Sequence, residues 1–434
     1  MQVSVETGEG LQRRMKVALP AEQIEAELDK RLKQMARTAR LSGFRPGKVP
    51  LKLLRQRYEE QLRHEVVGDL VPSAFAEAVT QESLNLAGRP SIEPILSPEE
   101  RQYGFTAVFE VFPEVELADL GGKTVQRPQV EVTDADVDEV VQRLREQRKS
   151  WQPVERPAQA KDSVVVDYQG RIDGAEFDGG TGSDVRVEIG SGRLMPGFED
   201  GLVGASAGEQ RILELSFPAD HPNPELQGKA AQFAVTVKEV EEPVLPEVDA
   251  EFVRSFGIAE GEVEQLYRDV RENLERERRR RTGERVKAQV MDVLLEVHTL
   301  PIPESLVKEE VQSLKEQARE GLQGNPQIDL PDSLFEDTAR RRVTLGLILR
   351  EIVQRHEIEV DAERVRAAVE ELAASYESPE EVIRYYYGDR KLLGSIESKV
   401  LEDQVVDWVL ASLTVEEMPM SFEELASADA GAEA

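Results

Sequence analysis

The chain opens on alternation. Residues 2–7 and 11–19 switch between apolar and polar positions on either side of Gly8-Glu9-Gly10, which predicts a β-hairpin. Pro20 suits the first turn of a helix. Ile24, Leu28, Leu32, Met35 and Ala39 then recur every three or four residues, the apolar stripe of a helix ending near Leu41. Residues 42–50 cannot continue it, because Gly43, Pro46, Gly47 and Pro50 break helical geometry. Helical spacing resumes over 51–58 and 66–82, and strand-like runs at 91–97 and 102–112 close an α+β unit.

Residues 113–150 read as a connector with one helix, started by Asp134 and running over 135–148, with Val137, Val140, Val141 and Leu144 on one side. After Trp151-Gln152-Pro153 the texture changes to short β runs at 163–168, 184–189, 209–217 and 231–240, with glycine-rich turns and one short helix around 195–202. Beyond Pro246 helical patterns cover 260–297, 303–322, 333–356, 361–375, 379–387 and 390–413. Several are long, charged and thinly striped, so they are expected to form projecting hairpins or arms. The stretch 414–434 has six acids and no base, and its last residues are expected to be disordered.

The predicted fold class is multidomain α+β. It comprises an α+β domain over 1–112, a connector over 113–150, a β domain over 151–243, an elongated all-α domain over 244–413 and an acidic tail over 414–434. The length of 434 residues agrees, at roughly 150 residues per domain. Charged residues reach 32%, above the quarter typical of soluble domains, which fits exposed helices. Aromatics are only 5%, so large cores built on Phe and Trp are not expected.

No run approaches the roughly 18 apolar residues that would span a bilayer. The N-terminus lacks a basic-then-apolar secretory pattern, so a cytoplasmic location and no membrane partner are expected. With no cysteine, thiol chemistry is excluded. The four histidines are far apart, and no H-E-x-x-H, Walker or Gly-x-Ser-x-Gly pattern occurs, so neither metal nor cofactor is called for.

The net charge of −31 argues against a polyanionic partner until its distribution is read. Residues 1–112 hold 16 basic and 16 acidic residues, so the excess acid lies entirely beyond them. Within 30–57 there are ten basic residues and no acid. Phe44 sits in the turn at the middle of this stretch, flanked by Arg45 and Lys48, with Arg37, Arg40, Lys52 and Arg55 nearby. From the residues alone, two readings stay open. The ring folds back onto its own helices, or it anchors the turn in an apolar recess of a wet, anionic surface while the cations pair with phosphates.

The run Gly43-Phe44-Arg45-Pro46-Gly47-Lys48-Val49-Pro50 resembles the ribosome-docking signature of the trigger factor family, in the N-terminal position where that family carries it. The resemblance implies that Gly43, Phe44, Arg45, Pro46, Gly47 and Lys48 contact ribosomal protein and rRNA beside the peptide exit tunnel. Pro46 stands where many members have Lys, which removes a cation and stiffens the turn.

In the middle of the chain, Val166-Asp167-Tyr168, Phe177-Asp178, the run from Ile189 to Leu202 containing Met195-Pro196-Gly197-Phe198-Glu199-Asp200, and Gly228 to Phe233 resemble FKBP-type prolyl isomerases. The resemblance implies a pocket with Phe198 as its floor and Tyr168, Phe177, Leu194, Met195 and Phe233 as its walls. Asp178 would be the polar group near the twisting amide, and His221 takes the place usually held by Tyr. Such chemistry needs no nucleophile. The X–Pro bond turns slowly because resonance gives it a barrier of about 18–20 kcal/mol. A water-excluding aromatic pocket disfavours the charge-separated planar amide relative to the twisted one.

The segment from His298 to Val307 is also similar to trigger factor, where it leads into helical arms that cradle unfolded chains. Leu314 with Leu322, residues 345–349 and Tyr385-Tyr386-Tyr387 are candidate client patches. The resemblance as a whole implies an ATP-independent chaperone with a prolyl isomerase domain, partnered by the ribosome and by nascent and unfolded polypeptides. It also implies a homodimer when off the ribosome, and links to protein transport and cell division. Two other readings of the residues remain: a holdase whose β domain does not isomerise, and a nucleic-acid binder using 30–57.

Overall fold

The structure, a computed structural model, describes residues 1–38, 44, 49–97, 102–219, 221, 223, 226–321, 330–374, 376 and 378–430. In chain order the elements begin β1 (Gln2–Thr7), β2 (Gln12–Leu19), α1 (Ala21–Thr38), α2 (Leu51–Gln81), β3 (Leu86–Ser97), β4 (Gln102–Val111), β5 (Thr124–Gln129) and α3 (Asp134–Gln147). Next come β6 (Ser150–Pro153), β7 (Ser163–Ile172), β8 (Ala175–Glu188), β9 (Gln210–Ser216), β10 (Ala230–Val244), α4 (Ala250–Arg254) and α5 (Val263–Val297). The chain ends with α6 (Glu304–Gly321), α7 (Glu336–Arg355), α8 (Ala362–Ala373), α9 (Pro379–Gly388), α10 (Arg390–Leu410), β11 (Thr414–Pro419) and α11 (Phe422–Ala430). Two compact bodies result, one of Met1–Arg127 with Glu284–Met418, the other of Pro128–Gly283 with Pro419–Ala434.

In the first body the predicted hairpin forms and continues into an antiparallel sheet of order β1-β2-β4-β3. Strand alternation puts Met15, Val17 and Leu19 of β2 and Phe105, Ala107 and Phe109 of β4 on one buried face. Val66, Val67, Val71, Ala74 and Ala78 of α2 cover that face. The two helices expected at 51–58 and 66–82 are one helix. Among the charged residues between them, Arg63 turns inward. Arg63 is 8% exposed, bonds the Tyr103 hydroxyl and pairs with Glu59 at 2.5 Å and Glu25 at 3.0 Å.

The rest of this body is helical. Leu120, Val125, Val290, Leu294, Ile348, Ile352, Val405 and Val409 share one core, with smaller cores between α6 and α7 (Val307, Val311, Ala339) and among α8, α9 and α10 (Val365, Val369, Ile396). His298 ties the connector to this core. Its Nδ1–H donates to the Leu294 carbonyl at 2.7 Å, closing the end of α5, and its Nε2 accepts the Ala118 N–H at 3.0 Å. The Glu110 carboxylate accepts the Glu304 and Ser305 N–H groups at 3.2 and 2.7 Å, the donors that the first turn of α6 leaves unpaired.

In the second body a sheet of order β6-β10-β7-β8, with β9 also on β10, wraps one core. β7, β8 and β10 are longer than the predicted segments and β9 is slightly shorter, and the helix expected around 195–202 is a turn ending in one 3-10 turn, Asp200–Leu202. Against expectation, the core is rich in aromatics; a low overall share says nothing of their concentration in one domain. The helix α3 starts one residue later than its cap, Thr133, whose side chain and that of Asp136 form a capping box. The acidic tail is ordered as far as Ala430. Ser421 and Glu424 cap α11 reciprocally and Leu425 is fully buried, while 431–434 lie outside the described residues.

His298→Leu would leave the Ala118 N–H and the Leu294 carbonyl without their partner. An unfolding free energy lowered by about 1–3 kcal/mol is expected, read by urea denaturation at Trp408 in a Trp151→Phe background.

Candidate functional site

The residues expected to form a pocket come from separated stretches and meet. Tyr168 lies on β7, Phe177 on β8, Phe198 in the turn before Asp200–Leu202, and Phe233 on β10. The Phe233 ring is the hub, edge-to-face with Phe198 at 5.6 Å, Tyr168 at 6.1 Å and Phe177 at 6.1 Å between centroids. Tyr168 and Phe198 close the circuit at 5.8 Å. Such pairs add about 0.5–1.5 kcal/mol each beyond area burial, so the rings hold one another in place. Phe198 and Phe233 are buried, Tyr168, Phe177 and Met195 are half-buried, and Leu194 is exposed.

Glycines decide how closely the rings approach the sheet. A Cβ on Gly170 would fall 2.6 Å from the Phe233 ring and 3.0 Å from Phe177, and one on Gly182 would fall 2.5 Å from Tyr168. Gly197, at φ +86°, makes the turn that delivers Phe198. Beside Tyr168 the register of β7 against β8 shifts, as does that of β10 near Lys238. Asp167 stitches these irregularities together, accepting from the Ser183 hydroxyl at 2.8 Å, the Asp184 N–H at 2.9 Å and Lys238 at 2.7 Å. Lys238, then the Asp184 N–H and the Ser183 hydroxyl, pull the Asp167 carboxyl down to about 2.

Two residues that sequence reasoning missed support the rings. Glu199 is 7% exposed, and its carboxylate accepts from the N–H of Gly190, Gly192, Arg193 and Leu194 and from the Ser191 hydroxyl, at 2.9–3.2 Å. Burial pushes its carboxyl up, but the Gly192 and Leu194 N–H groups, the Ser191 hydroxyl and the Gly190 N–H outweigh that and hold its pKa below the ordinary value. Phe217 extends the aromatic series, 5.7 Å from Phe177 and 5.1 Å from the His221 ring. The signal for it was its parity with Leu213 and Leu215 on β9.

His221 therefore sits beside Phe217, with its Nδ1 accepting the Asn223 N–H at 3.1 Å. Asp178 follows Phe177 on β8 and is exposed. The rings and Met195 make an apolar cluster beside the turn held by Glu199, which suits packing against a proline-like ring.

The second candidate site is in the other body. Gly43, Arg45, Pro46, Gly47 and Lys48 lie outside the described residues, and Phe44 is 40% exposed. Leu28, Leu32, Val49, Leu54 and Leu62 form the core between α1 and α2, so the chain beyond the turn is pinned by Val49 while the ring of Phe44 stays out of that core. Leu51 and Leu53, which sequence reasoning passed over, are 45% and 42% exposed nearby in the chain.

The cations divide into two sets. Lys30 and Arg31 pair with Glu27, Arg31 also with Asp69, and Arg55 with Glu25, Asp29 and Glu59. Among the described residues, Lys33, Arg37, Lys52 and Arg57 carry no ion pair.

Gly170→Ala is expected to displace the Phe233 and Phe177 rings and cost about 1–3 kcal/mol, as overpacking does, measured by thermal unfolding of the full chain. Asp167 supplies a pH test. Its folded pKa lies below the ordinary value of about 3.9, so its contribution is complete above about pH 4 and disappears as the pH falls through about 2. The stability gap between the wild type and Asp167→Asn should be constant at neutral pH and shrink across that window.

The family profile described as "Bacterial trigger factor protein (TF)" matches residues 1–144, and its C-terminal counterpart matches 262–411. The profile "FKBP-type peptidyl-prolyl cis-trans isomerase" matches 154–238. A trigger factor of Thioalkalivibrio sulfidiphilus is 50% identical over 427 residues, covering 98% of both chains. That of Alkalilimnicola ehrlichii is 49% identical over 430 residues, covering 98% of this chain and 96% of its own. A solved structure described as the trigger factor chaperone is 21% identical, covers 95% of this chain and 99% of its own, and has a TM-score of 0.47. With half its residues shared along nearly its whole length, the chain belongs to the trigger factor family.

Proposed function

We propose that this protein is an ATP-independent chaperone that docks on the ribosome, shields emerging polypeptides and catalyses cis/trans isomerisation of X–Pro bonds. The observation that carries the catalytic part is the convergence of Tyr168, Phe177, Phe198 and Phe233 on one ring cluster. A proline ring held against it leaves water, and the charge-separated planar amide loses more stabilisation than the twisted amide does. Tyr168, Phe177, Leu194, Met195, Phe198 and Phe233 supply the apolar surface, with Asp178 and His221 as polar groups at its margin. Uncatalysed isomerisation takes tens of seconds or more, long enough to limit folding.

The domain assignment belongs to the same reading: 1–112 for docking, 113–150 as connector, 151–243 for isomerisation, 244–413 for holding clients and 414–434 as tail. Docking rests on the exposed Phe44, the spare cations and the loop residues Gly43, Arg45, Pro46, Gly47 and Lys48, which fit rRNA and ribosomal protein near the exit tunnel. One chain that carries both the isomerase and a client-holding surface raises the local concentration of each at the other's substrate. Of the expected client patches, Leu314 and residues 347–348 are used in cores, and Leu322 lies outside the described residues. Tyr385 and Tyr387 are 66% and 48% exposed and remain available. A cytoplasmic location, a homodimer off the ribosome and links to protein transport and cell division complete the proposal.

Two measurements test it. In the refolding of a proline-limited protein, Phe198→Ala and Phe233→Ala should slow the catalysed phase at least about tenfold, equivalent to about 1.4 kcal/mol; unchanged rates would remove this cluster from the mechanism. In co-sedimentation with ribosomes, Phe44→Ala/Arg45→Ala should abolish pelleting. The wild-type signal should weaken with salt, since exposed charges carry part of it.

A further inference from the structure

The segment 190–195 leads into the turn that carries Phe198, and its last residue, Met195, packs against the core that holds the rings. Its two ends are fixed by the backbone. The Ile189 N–H donates to the Asp162 carbonyl at 2.8 Å, the Ile189 carbonyl accepts the Lys161 N–H at 2.9 Å, and the Phe198 N–H donates to the Met195 carbonyl at 3.1 Å. Between these ends little packs on the chain. At Gly190 and Gly192, where φ is +90° and +66°, an added Cβ would have no neighbour within 4 Å. The hydrogen bonds are correspondingly concentrated. The Ser191 N–H donates to the Glu188 carbonyl at 3.3 Å, and the N–H groups of Gly190, Gly192, Arg193 and Leu194 all end on Glu199. One carboxylate oxygen takes Gly190 and Gly192, and the other takes Arg193, Leu194 and the Ser191 hydroxyl. The Arg193 N–H also reaches that hydroxyl, at 3.3 Å. Leu194 is 40% exposed, so one acid holds the lip that presents this apolar side chain to water.

We propose that Glu199 is a positioning residue for prolyl isomerisation: it latches the 190–194 lip so that Leu194 grips the substrate chain beside the proline. The inference rests on the isomerase reading and divides the work between two parts of the site. Rings that favour the twisted amide over the planar one act on kcat. A leucine that touches the chain to one side of the twisting bond meets both forms alike, so it acts on KM. Without the latch, the lip has many conformations, and ordering them on binding offsets what burying Leu194 contributes. Glu199 acts only through the lip, because five hydrogen bonds already occupy its two oxygens.

Steady-state kinetics of the full chain on a succinylated Ala-Leu-Pro-Phe nitroanilide test this. Glu199→Ala should raise KM about tenfold with kcat kept, the effect of forgoing burial of a good part of one leucine. Leu194→Ala should do the same, and the double variant should be no worse than either alone. Glu199→Gln retains one acceptor oxygen and the packing, so it should give a smaller rise, and it carries the test where the alanine variant does not fold. Hydrogen exchange should quicken at the Gly190, Gly192, Arg193 and Leu194 amides in the Glu199 variants while β7 and β10 keep their protection. The proposal is overturned by a fall in kcat at constant KM, by unchanged kinetics, or by Glu199 and Leu194 effects that multiply. Wild-type protein without isomerase activity would instead sink the isomerase reading, so the two failures are distinguishable.

Discussion

Competition for carboxylates constrains everything this molecule can do near a polyanion. The stretch 30–57 has ten cations and must fold among acids that would quench them. The helix pair resolves part of this by pairing. Glu25, Glu27, Asp29, Glu59 and Asp69 engage Lys30, Arg31 and Arg55. Among the described residues, Lys33, Arg37, Lys52 and Arg57 have no ion pair. The paired cations fix the helix geometry, and the unpaired ones keep a local positive field on a protein whose net charge repels polyanions elsewhere. Phe44 stands exposed within the same stretch.

The ring cluster follows a different logic, because nothing in it must gain or lose a proton. Its function depends on position alone, which explains why its scaffold is elaborate while its chemistry is plain. Glu199 spends its buried carboxylate on holding the 190–194 turn, and Gly170 and Gly182 let rings lie against the strands. The ionised state of Glu199 belongs to the fold. An acid at this depth would otherwise suggest a catalytic base, but four backbone N–H groups and a hydroxyl already occupy its oxygens.

Legibility in the sequence followed the kind of force involved. Phe198 and Phe233 could be found because their motifs resemble those of a known family, and the resemblance carries their positions with it. Phe217 escaped because its contact with Phe177 is made across the sheet, and only strand parity hinted at it. The unity of α2 was hidden because Arg63 is charged, and its burial depends on Tyr103, forty residues away in the chain. The order in the tail was within reach: Ser421-Phe422-Glu423-Glu424 is a capping box before an apolar position, but its acidity masked the signal. Leu51 and Leu53 fall within an expected helix, and exposure cannot be told from spacing when the helix has one partner face.

The acid outside the first 112 residues then has a physical role. A chaperone has to leave apolar groups in water, and Tyr385, Tyr387, Tyr376 and Leu372 are each more than 40% exposed. Such groups favour self-association, which costs little for a neutral surface and much for one with a large net charge of a single sign. The excess of carboxylates sets that cost without covering the rings. Charge is thus segregated along the chain, with ten cations and no acid over 30–57 and the whole acidic excess beyond residue 112.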